Sequence, residues 1–355
     1  MEVETREVET RSVGMREDRR TPAPRIAVII TCWNYERFVG RAIRSVQGQS
    51  CAECDLVVVD DGSTDGSWDA IRETGATAFR IANGGQRAAC LFGLDQTSAP
   101  FVLFLDADDE LKPGALAAIL PHLDAGVAKV QFQLARIDEN GERVGAAFPP
   151  LSAGRDRDHL VQRVLRTGVY TTPPTSGNVF RRDVCELLRE ADYDRAADGV
   201  ILFAAPFLGD VVSLPEELAL YRVHAANDSG LGKPLDPGLL RRDLVRFARR
   251  MEHLRQVVAR SDVTVPLVQA QEAYFHRERS FYLALATGNR LDRGQFPALI
   301  GSLWREYYPA KIKAVMTLFF ALAAVLPPSL AVRLLGYRLQ PGRRSPLGFL
   351  KALMN

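Results

Sequence analysis

A chain of 355 residues, 47% hydrophobic and 25% charged, has room for one large globular domain with extensions; its net charge of +2 makes no general claim on nucleic acid, which is not expected as a partner. The five cysteines, Cys32, Cys51, Cys54, Cys90 and Cys185, are too few and odd in number for a disulfide framework, so reduced thiols in a cytosolic protein are expected. Cys51-x-x-Cys54 has neither a second pair nor histidines at ligand spacing, which argues against zinc.

Residues 1 to 24 are highly charged, repeat EVETR at 2–6 and 7–11, and hold no apolar core. They are expected to be a disordered tail rather than a signal peptide, with Met15 an alternative start. RIAVIITCWN (25–34) then reads as a buried strand breaking into a loop, and Phe38, Val39, Ile43 and Val46 follow at helical spacing. CDLVVVDDGSTDGS (54–67) is a second buried strand ending in acids, glycine and hydroxyls, followed by the helix SWDAIRET. ATAFRIANGG gives a weaker strand and a glycine turn, QRAACLFGLDQT a third helix, and FVLFLDADDEL (101–111) a strand that runs into Asp106, Asp108 and Asp109. Strands alternating with helices predict right-handed crossovers and a mainly parallel sheet, whose ligands bind beyond the carboxyl ends of the strands. The loops at 31–35, 60–66 and 106–109 are therefore expected to line one crevice.

Farther on, KVQFQLARID and GERVGAAF read as two strands around the turn ENG, AADGVILFAAPFLG as a buried helix, and DVVSLPEELALYRVH as a strand with a turn. From Asp236 the pattern is helical. AVMTLFFALAAVL (314–326) is apolar and stopped by Pro327-Pro328; at about 1.5 Å per residue it reaches roughly 20 Å, short of a hydrocarbon core of about 30 Å. Core packing and a membrane surface both fit it. After Glu306 there is no acidic side chain, but there are Lys311, Lys313, Arg333, Arg338, Arg343, Arg344 and Lys351. That end suits an anionic surface.

Three carboxylates within four positions repel one another, and a divalent cation is the simplest compensation. Oxygen ligands suit Mg²⁺ or Mn²⁺. An EF-hand is excluded: counted from Asp106, loop positions 6 and 12 are Leu111 and Ala117, and from Asp61 position 12 is Arg72. There is no Walker A pattern. Asp109 alone has the bland reading of a helix cap, and Ser63 and Asp65 that of a turn and cap.

IAVIITCWNYERFVGRAIRSVQGQS, LVVVDDGSTDGS, NGGQRAACLFGL and FVLFLDADDELKPGAL, in this order and spacing over about residues 25–120, resemble the family 2 glycosyltransferases with the GT-A fold. The resemblance continues more faintly through TSGNVFRRD, AADGVILFAAPFLGDVVSL and LYRVHAANDSG to about residue 230. It implies a mainly parallel Rossmann-like sheet flanked by helices at 25–230, with a donor half (25–120) and an acceptor half (121–230). A helical extension (231–310) and a basic, apolar tail (311–355) would follow. It implies inverting transfer from a nucleotide-diphosphate sugar, a UDP-sugar first, to a hydroxyl of a carbohydrate or lipid-linked acceptor in polysaccharide or glycolipid synthesis. The setting would be the cytoplasm or the cytoplasmic face of the inner membrane. Thr31, Asn34, Asp60, Asp61, Asn83, Gly85, Gln86 and Asp106 resemble nucleotide-sugar contacts, and Asp108 the metal ligand on the diphosphate. Where many members carry Arg-Asn, this chain has Cys90-Leu91, with Arg87 as a substitute.

The attacking hydroxyl needs a general base. Asp198 matches the family's base, the preceding acid being replaced by Ala197; a helix cap is its other reading, and Asp192 and Asp194 fit less well. His224 resembles a metal or diphosphate ligand, or is structural. Arg222 meets phosphate or is solvated. Ser176 and Asn178 resemble acceptor contacts. Without a Gln-x-x-Arg-Trp motif, transfer of a single sugar is expected rather than polymerisation. The rival readings are a non-catalytic nucleotide-sugar binding protein on a degenerate version of the fold, and a nucleotidyltransferase. The latter would want a glycine-rich basic loop where TCWNYERF stands.

Overall fold

The structure, a computed structural model, describes residues 23–224, 236–289 and 294–339. The EVETR repeats, the end of the fainter resemblance at 225–230, the expected boundary at 230 and the basic residues Arg343, Arg344 and Lys351 lie outside these. Two compact units are present, one of residues 1–161 and 171–224, the other of 162–170 and 225–355.

In the first unit β1 (Ile26–Cys32), β2 (Cys54–Asp60), β3 (Ala78–Arg80) and β4 (Phe101–Asp106) are joined through α1 (Val39–Gln47), α2 (Ser67–Glu73) and α3 (Gln86–Asp95). β5 (Glu110–Leu111) and α4 (Ala115–Ile119) follow, then β6 (Val127–Ile137) and β7 (Gly154–Asp156). α5 (Asp158–Thr167) runs across the division between the units, and β8 (Asn178–Arg181), α6 (Arg182–Glu186), α7 (Val200–Leu208) and β9 (Asp210–Arg222) complete the first. β1 and β4 are apolar on both faces and buried on both, as an inner parallel strand must be when helices cover it. α3 lies close on β1: a Cβ on Gly93 would stand 2.4 Å from Ile29 Cγ2, so only glycine allows that approach.

The sheet order is β3-β2-β1-β4-β8-β6-β9-β5, with β7 on β9. β3, β2, β1 and β4 are parallel, as is β6 to β9, but β8 joins β4 and β6 antiparallel, and β5 and β7 join β9 antiparallel. The sheet is thus mixed, with its parallel and antiparallel pairings meeting at β8. The segment expected as a strand at 141–148 makes only isolated bridges, Ile137 to Arg143 and Leu134 to Phe148. The expected turn between them is present: Asp138 Oδ1 accepts from the Asn140 and Glu142 N–H groups and closes it.

Register sets up the site. Thr31 on β1 pairs with Asp106 on β4, and Cys32 with Asp60 on β2. The carboxylates that end β2 and β4 therefore flank the end of β1. β5 pairs Glu110 with Leu220 on β9, which holds the loop 106–109 against the end of that strand.

The second unit contains α8 (Pro237–Ala259), α9 (Tyr274–Ala286), α10 (Gln295–Arg305), α11 (Ala310–Val325) and α12 (Pro328–Leu339). Asp236 caps α8, accepting from Gly238 N–H at 2.7 Å with Pro237 in the first turn, a sequence-readable start. Tyr274, Phe281, Tyr282, Leu299, Leu303, Phe320 and Leu334 form its core. Among the described residues no helix is long and apolar enough to cross a membrane.

Candidate active site

The loop after β1 is stitched to the loop after β2. Asn34, at φ +60°, donates its backbone N–H to Ser63 Oγ at 2.9 Å, and its side-chain oxygen accepts from Thr64 N–H at 2.8 Å. Tyr35 N–H donates to Ser67 Oγ, whose hydroxyl is held by Asp65. Ser63 and Asp65 thus serve the turn, and the Asn34 carbonyl is already used within the loops.

Asp60 is fully buried, with Oδ2 3.1 Å from Arg80 Nε, while Oδ1 has no hydrogen-bond partner. Burial raises its pKa; the Ser63 hydroxyl and Arg80 partly offset this. Asp61 spends both oxygens on the next loop, accepting from Gly84 N–H at 2.7 Å and Gly85 N–H at 2.8 Å. Its pKa is also raised by burial, against those two bonds.

Gln86, the first residue of α3, donates to Asp106 Oδ1 at 2.7 Å and accepts from Ala197 N–H at 3.1 Å. One side chain therefore connects the acid at the end of β4 to the residue before Asp198. Asp61 and Asp106 are held at opposite ends of the same stretch, Gly84-Gly85-Gln86. More bonds fasten this stretch to the loop before α7: Arg87 N–H to Arg195 O at 2.8 Å, Arg87 Nε to Asp194 O at 2.9 Å and Arg195 Nη2 to Asn83 Oδ1 at 2.8 Å. Gly85, at φ +88°, leaves room for Arg195; a Cβ there would lie 2.8 Å from its Nε. Arg87 also bonds the Leu188 carbonyl, so its guanidinium is turned inward onto backbone and is not a substitute for the missing Arg-Asn. Cys90 is buried and hydrogen-bonded to Thr31, and burial pushes its thiol pKa up.

Asp106, Asp108 and Asp109 each offer an oxygen, all within 4.8 Å of one another. Burial, then the charges of Asp108 and Asp198, push the Asp106 carboxyl up to about 8. Asp109 is raised well above the carboxylate range by burial and by the charges of Asp108 and Asp106. Asp108 Oδ2 lies 2.9 Å from His224 Nε2. The His224 ring stacks on Phe38 at 5.2 Å and meets the edge of Tyr35 at 5.8 Å. Nothing in the sequence distinguishes this aromatic platform from ordinary helix packing. Asp198 stands near enough to Asp106 to raise its pKa, and the cap position of α7 falls on Gly199 rather than on Asp198. Asp194 instead caps its own turn, accepting from Ala196 N–H at 3.1 Å, and Asp192 is exposed.

Some expectations need correction. Arg222 neither meets phosphate nor is solvated. It is fully buried, donating from Nε to Asp108 O at 3.0 Å and from Nη1 to Asp138 O at 2.9 Å, and paired with Glu110. Its own N–H donates to Asp109 Oδ1 at 2.9 Å, so Asp109 ties the loop to β9, whereas α4 is capped at Gly114. Asn178 is fully buried, its amide donating to Pro173 O at 3.1 Å and Pro174 O at 2.7 Å, and presents nothing to an acceptor. Ser176 is equally buried but accepts from Asp106 N–H at 3.1 Å, so it supports the carboxylate loop.

The donor set fits a hard divalent cation: three clustered carboxylates beside an imidazole, one buried Asp109 oxygen without a hydrogen-bond partner, and two acids held far from their ordinary ionisation.

The fold is that of the GT-A glycosyltransferases. It is shared with *S. aureus* TarS residues 1–349, crystallised with UDP-GlcNAc, at a TM-score of 0.50 and 15% identity over 93% of this chain and 89% of that one. The model of the glycosyl transferase family 2 matches residues 27–188, and the chain belongs to that family. An uncharacterised glycosyltransferase of *Nostoc* sp. is 38% identical over 218 residues, 58% of this chain and 66% of its own length. A GalNAc(5)-diNAcBac-PP-undecaprenol beta-1,3-glucosyltransferase of *Campylobacter jejuni* is 32% identical over 118 residues, 30% of this chain and 37% of its own. The chain thus spans about two thirds and about one third of these relatives' lengths.

Proposed function

We propose that the protein is an inverting, metal-dependent glycosyltransferase that moves one sugar from a nucleotide-diphosphate sugar to a hydroxyl acceptor. The observation that carries this is the meeting of Asp106, Asp108 and Asp109 with His224 on one side and, through Gln86 and Ala197, the Asp198 loop on the other. Asp108 and His224, with Asp106 beside them, would hold Mn²⁺ or Mg²⁺. Such a cation offsets the charge that builds on a departing nucleotide diphosphate. Asp60, with its unused buried oxygen, faces the nucleoside as an acceptor. Thr31, Asn34, Asn83 and Gly85 shape the surrounding loops. Asp198 takes the proton from the acceptor hydroxyl as its oxygen bonds to the anomeric carbon and the bond from that carbon to the diphosphate breaks. Attack from the face opposite the leaving group inverts the centre.

The acceptor class we infer is a lipid-linked or surface carbohydrate, and the name of the Campylobacter relative gives a lipid-linked carbohydrate for that protein. The enzyme would be peripheral at the cytoplasmic membrane face. The test is a panel of UDP-, GDP-, dTDP- and CMP-sugars with Mn²⁺, with and without chelator, reading nucleotide release and the anomeric configuration of product. Chelator-sensitive release from one donor class supports the reading. Binding without any turnover would favour the non-catalytic alternative, and no binding at all would remove both.

A further inference from the structure

α11 is apolar around its circumference but packs only one face. Phe320 and Ala323 are buried with Phe281, Tyr282 and Leu334, whereas Val315, Leu318 and Val325 are 60%, 71% and 79% exposed. Lys311, Ala314, Val315, Leu318 and Val325, all exposed, lie on one helical stripe opposite Phe320 and Ala323, with the partly buried Leu322 between them packed on the core. Beside its first turn stand Trp304, Tyr307 and Tyr308, each nearly half exposed. Trp304 is pinned there: its indole N–H donates to Thr317 Oγ1 at 3.1 Å, and Lys313 Nζ donates to the Trp304 carbonyl at 3.0 Å. Arg163 lies over the Tyr307 ring at 4.5 Å. From Ala310 to Leu339 the chain has no acidic side chain.

An exposed apolar stripe with aromatic rings and cations gathered at one end matches a bilayer interface: hydrocarbon below, headgroups at ring height, lipid phosphates beside the basic groups. The helix has 16 residues and is too short to cross, so lying in the plane is the geometry open to it. We propose that α11 lies on an anionic membrane surface, its 311–325 stripe in the headgroup and acyl boundary, with Lys311, Lys313 and Arg305 on lipid phosphates. This deepens the lipid-linked reading, on which it rests for its purpose. Its test is separate, because donor turnover without vesicles reports on that reading alone.

The experiment is flotation of the whole chain with vesicles of phosphatidylcholine, alone or mixed with phosphatidylglycerol. Partition onto the mixed vesicles is expected. It should weaken about tenfold or more in Val315→Glu/Leu318→Glu, which loses its apolar contact, and roughly fivefold in Lys311→Gln, which loses one cation near the surface. The exposed positions predict unchanged melting for these variants, and Leu318→Ser is the milder check. Equal partition by wild type and Val315→Glu/Leu318→Glu would overturn the proposal. So would unfolding of Leu318→Ser, because the face would then be packed. A dimer on sizing that the double variant dissolves, with no vesicle binding by wild type, would also overturn it and assign the face to a second copy.

Discussion

Replacing Arg222 with Met tests whether the carboxylate loop is held from behind. The substitution keeps a long apolar stem but removes the donors to the Asp108 and Asp138 carbonyls and the partner of Glu110. Each buried group left without a partner costs about 1–3 kcal/mol, and breaking a buried charged pair about 3–5 kcal/mol. These terms overlap, and Glu110 is part-exposed and can rehydrate, so about 3–4 kcal/mol is the expected loss. For a domain of this size that lowers the melting temperature by roughly 6–16 °C. Arg222→Lys keeps the charge but not the fork, and should lose about half as much. Because Asp108 is bonded through its carbonyl, Mn²⁺ affinity should also fall, on the order of 10–100-fold. The assays are thermal melting and Mn²⁺-dependent nucleotide binding by calorimetry. Unchanged melting together with weaker nucleotide binding would refute the reasoning, because it would mean that the guanidinium meets phosphate.

Asp198→Asn should leave nucleotide binding intact and lower kcat by about 10²–10⁴, the usual worth of a general base, and full transfer by the variant would remove Asp198 from that role. Gln86→Leu leaves Asp106 and the Ala197 N–H without their shared partner, and kcat should drop on the order of a hundredfold as the base loop shifts; steady-state kinetics with saturating donor reads this. Without metal, the folded Asp106 carboxyl titrates at about 8, above the roughly 3.9 of an unfolded aspartate. The native state then holds the extra proton between these values, and its stability falls as pH rises through that window. Melting in chelator should therefore decline from pH 5 to pH 8, and Mn²⁺ should raise it more at pH 8 than at pH 5. A flat profile would show that the acid is already neutralised from within the protein.

The sheet's parallel half was legible because its strands are short apolar runs punctuated by acids, and because buried parallel strands need no alternation. β5 was not: two residues carry no period, and only pairing with β9 makes them a strand. The gathering of Asp60, Asp61, Asp106 and Asp108 could be read from strand-end position alone, whereas Asp198 precedes a helix and was suggested only by the family resemblance. What each carboxylate does could not, because that depends on partners far away in the chain. Asp61 and Asp60 are adjacent in sequence, yet one spends both oxygens on Gly84 and Gly85 while the other keeps a buried oxygen unused.

The same division explains why this chain tolerates Ala197 and Cys90 where an acid and an arginine were expected. The Ala197 position contributes its backbone N–H to Gln86, and a side chain there would be buried. The Cys90 position is sealed beneath the sheet end, where a guanidinium would need a buried partner. Positive charge beside Asn83 comes instead from Arg195, from the segment that carries Asp198, and its guanidinium fits only because residue 85 is glycine. The loop at 83–87 and the segment at 194–198 are therefore one hydrogen-bonded piece, and under the proposed function a change in either should be felt in both the binding of donor and the transfer step.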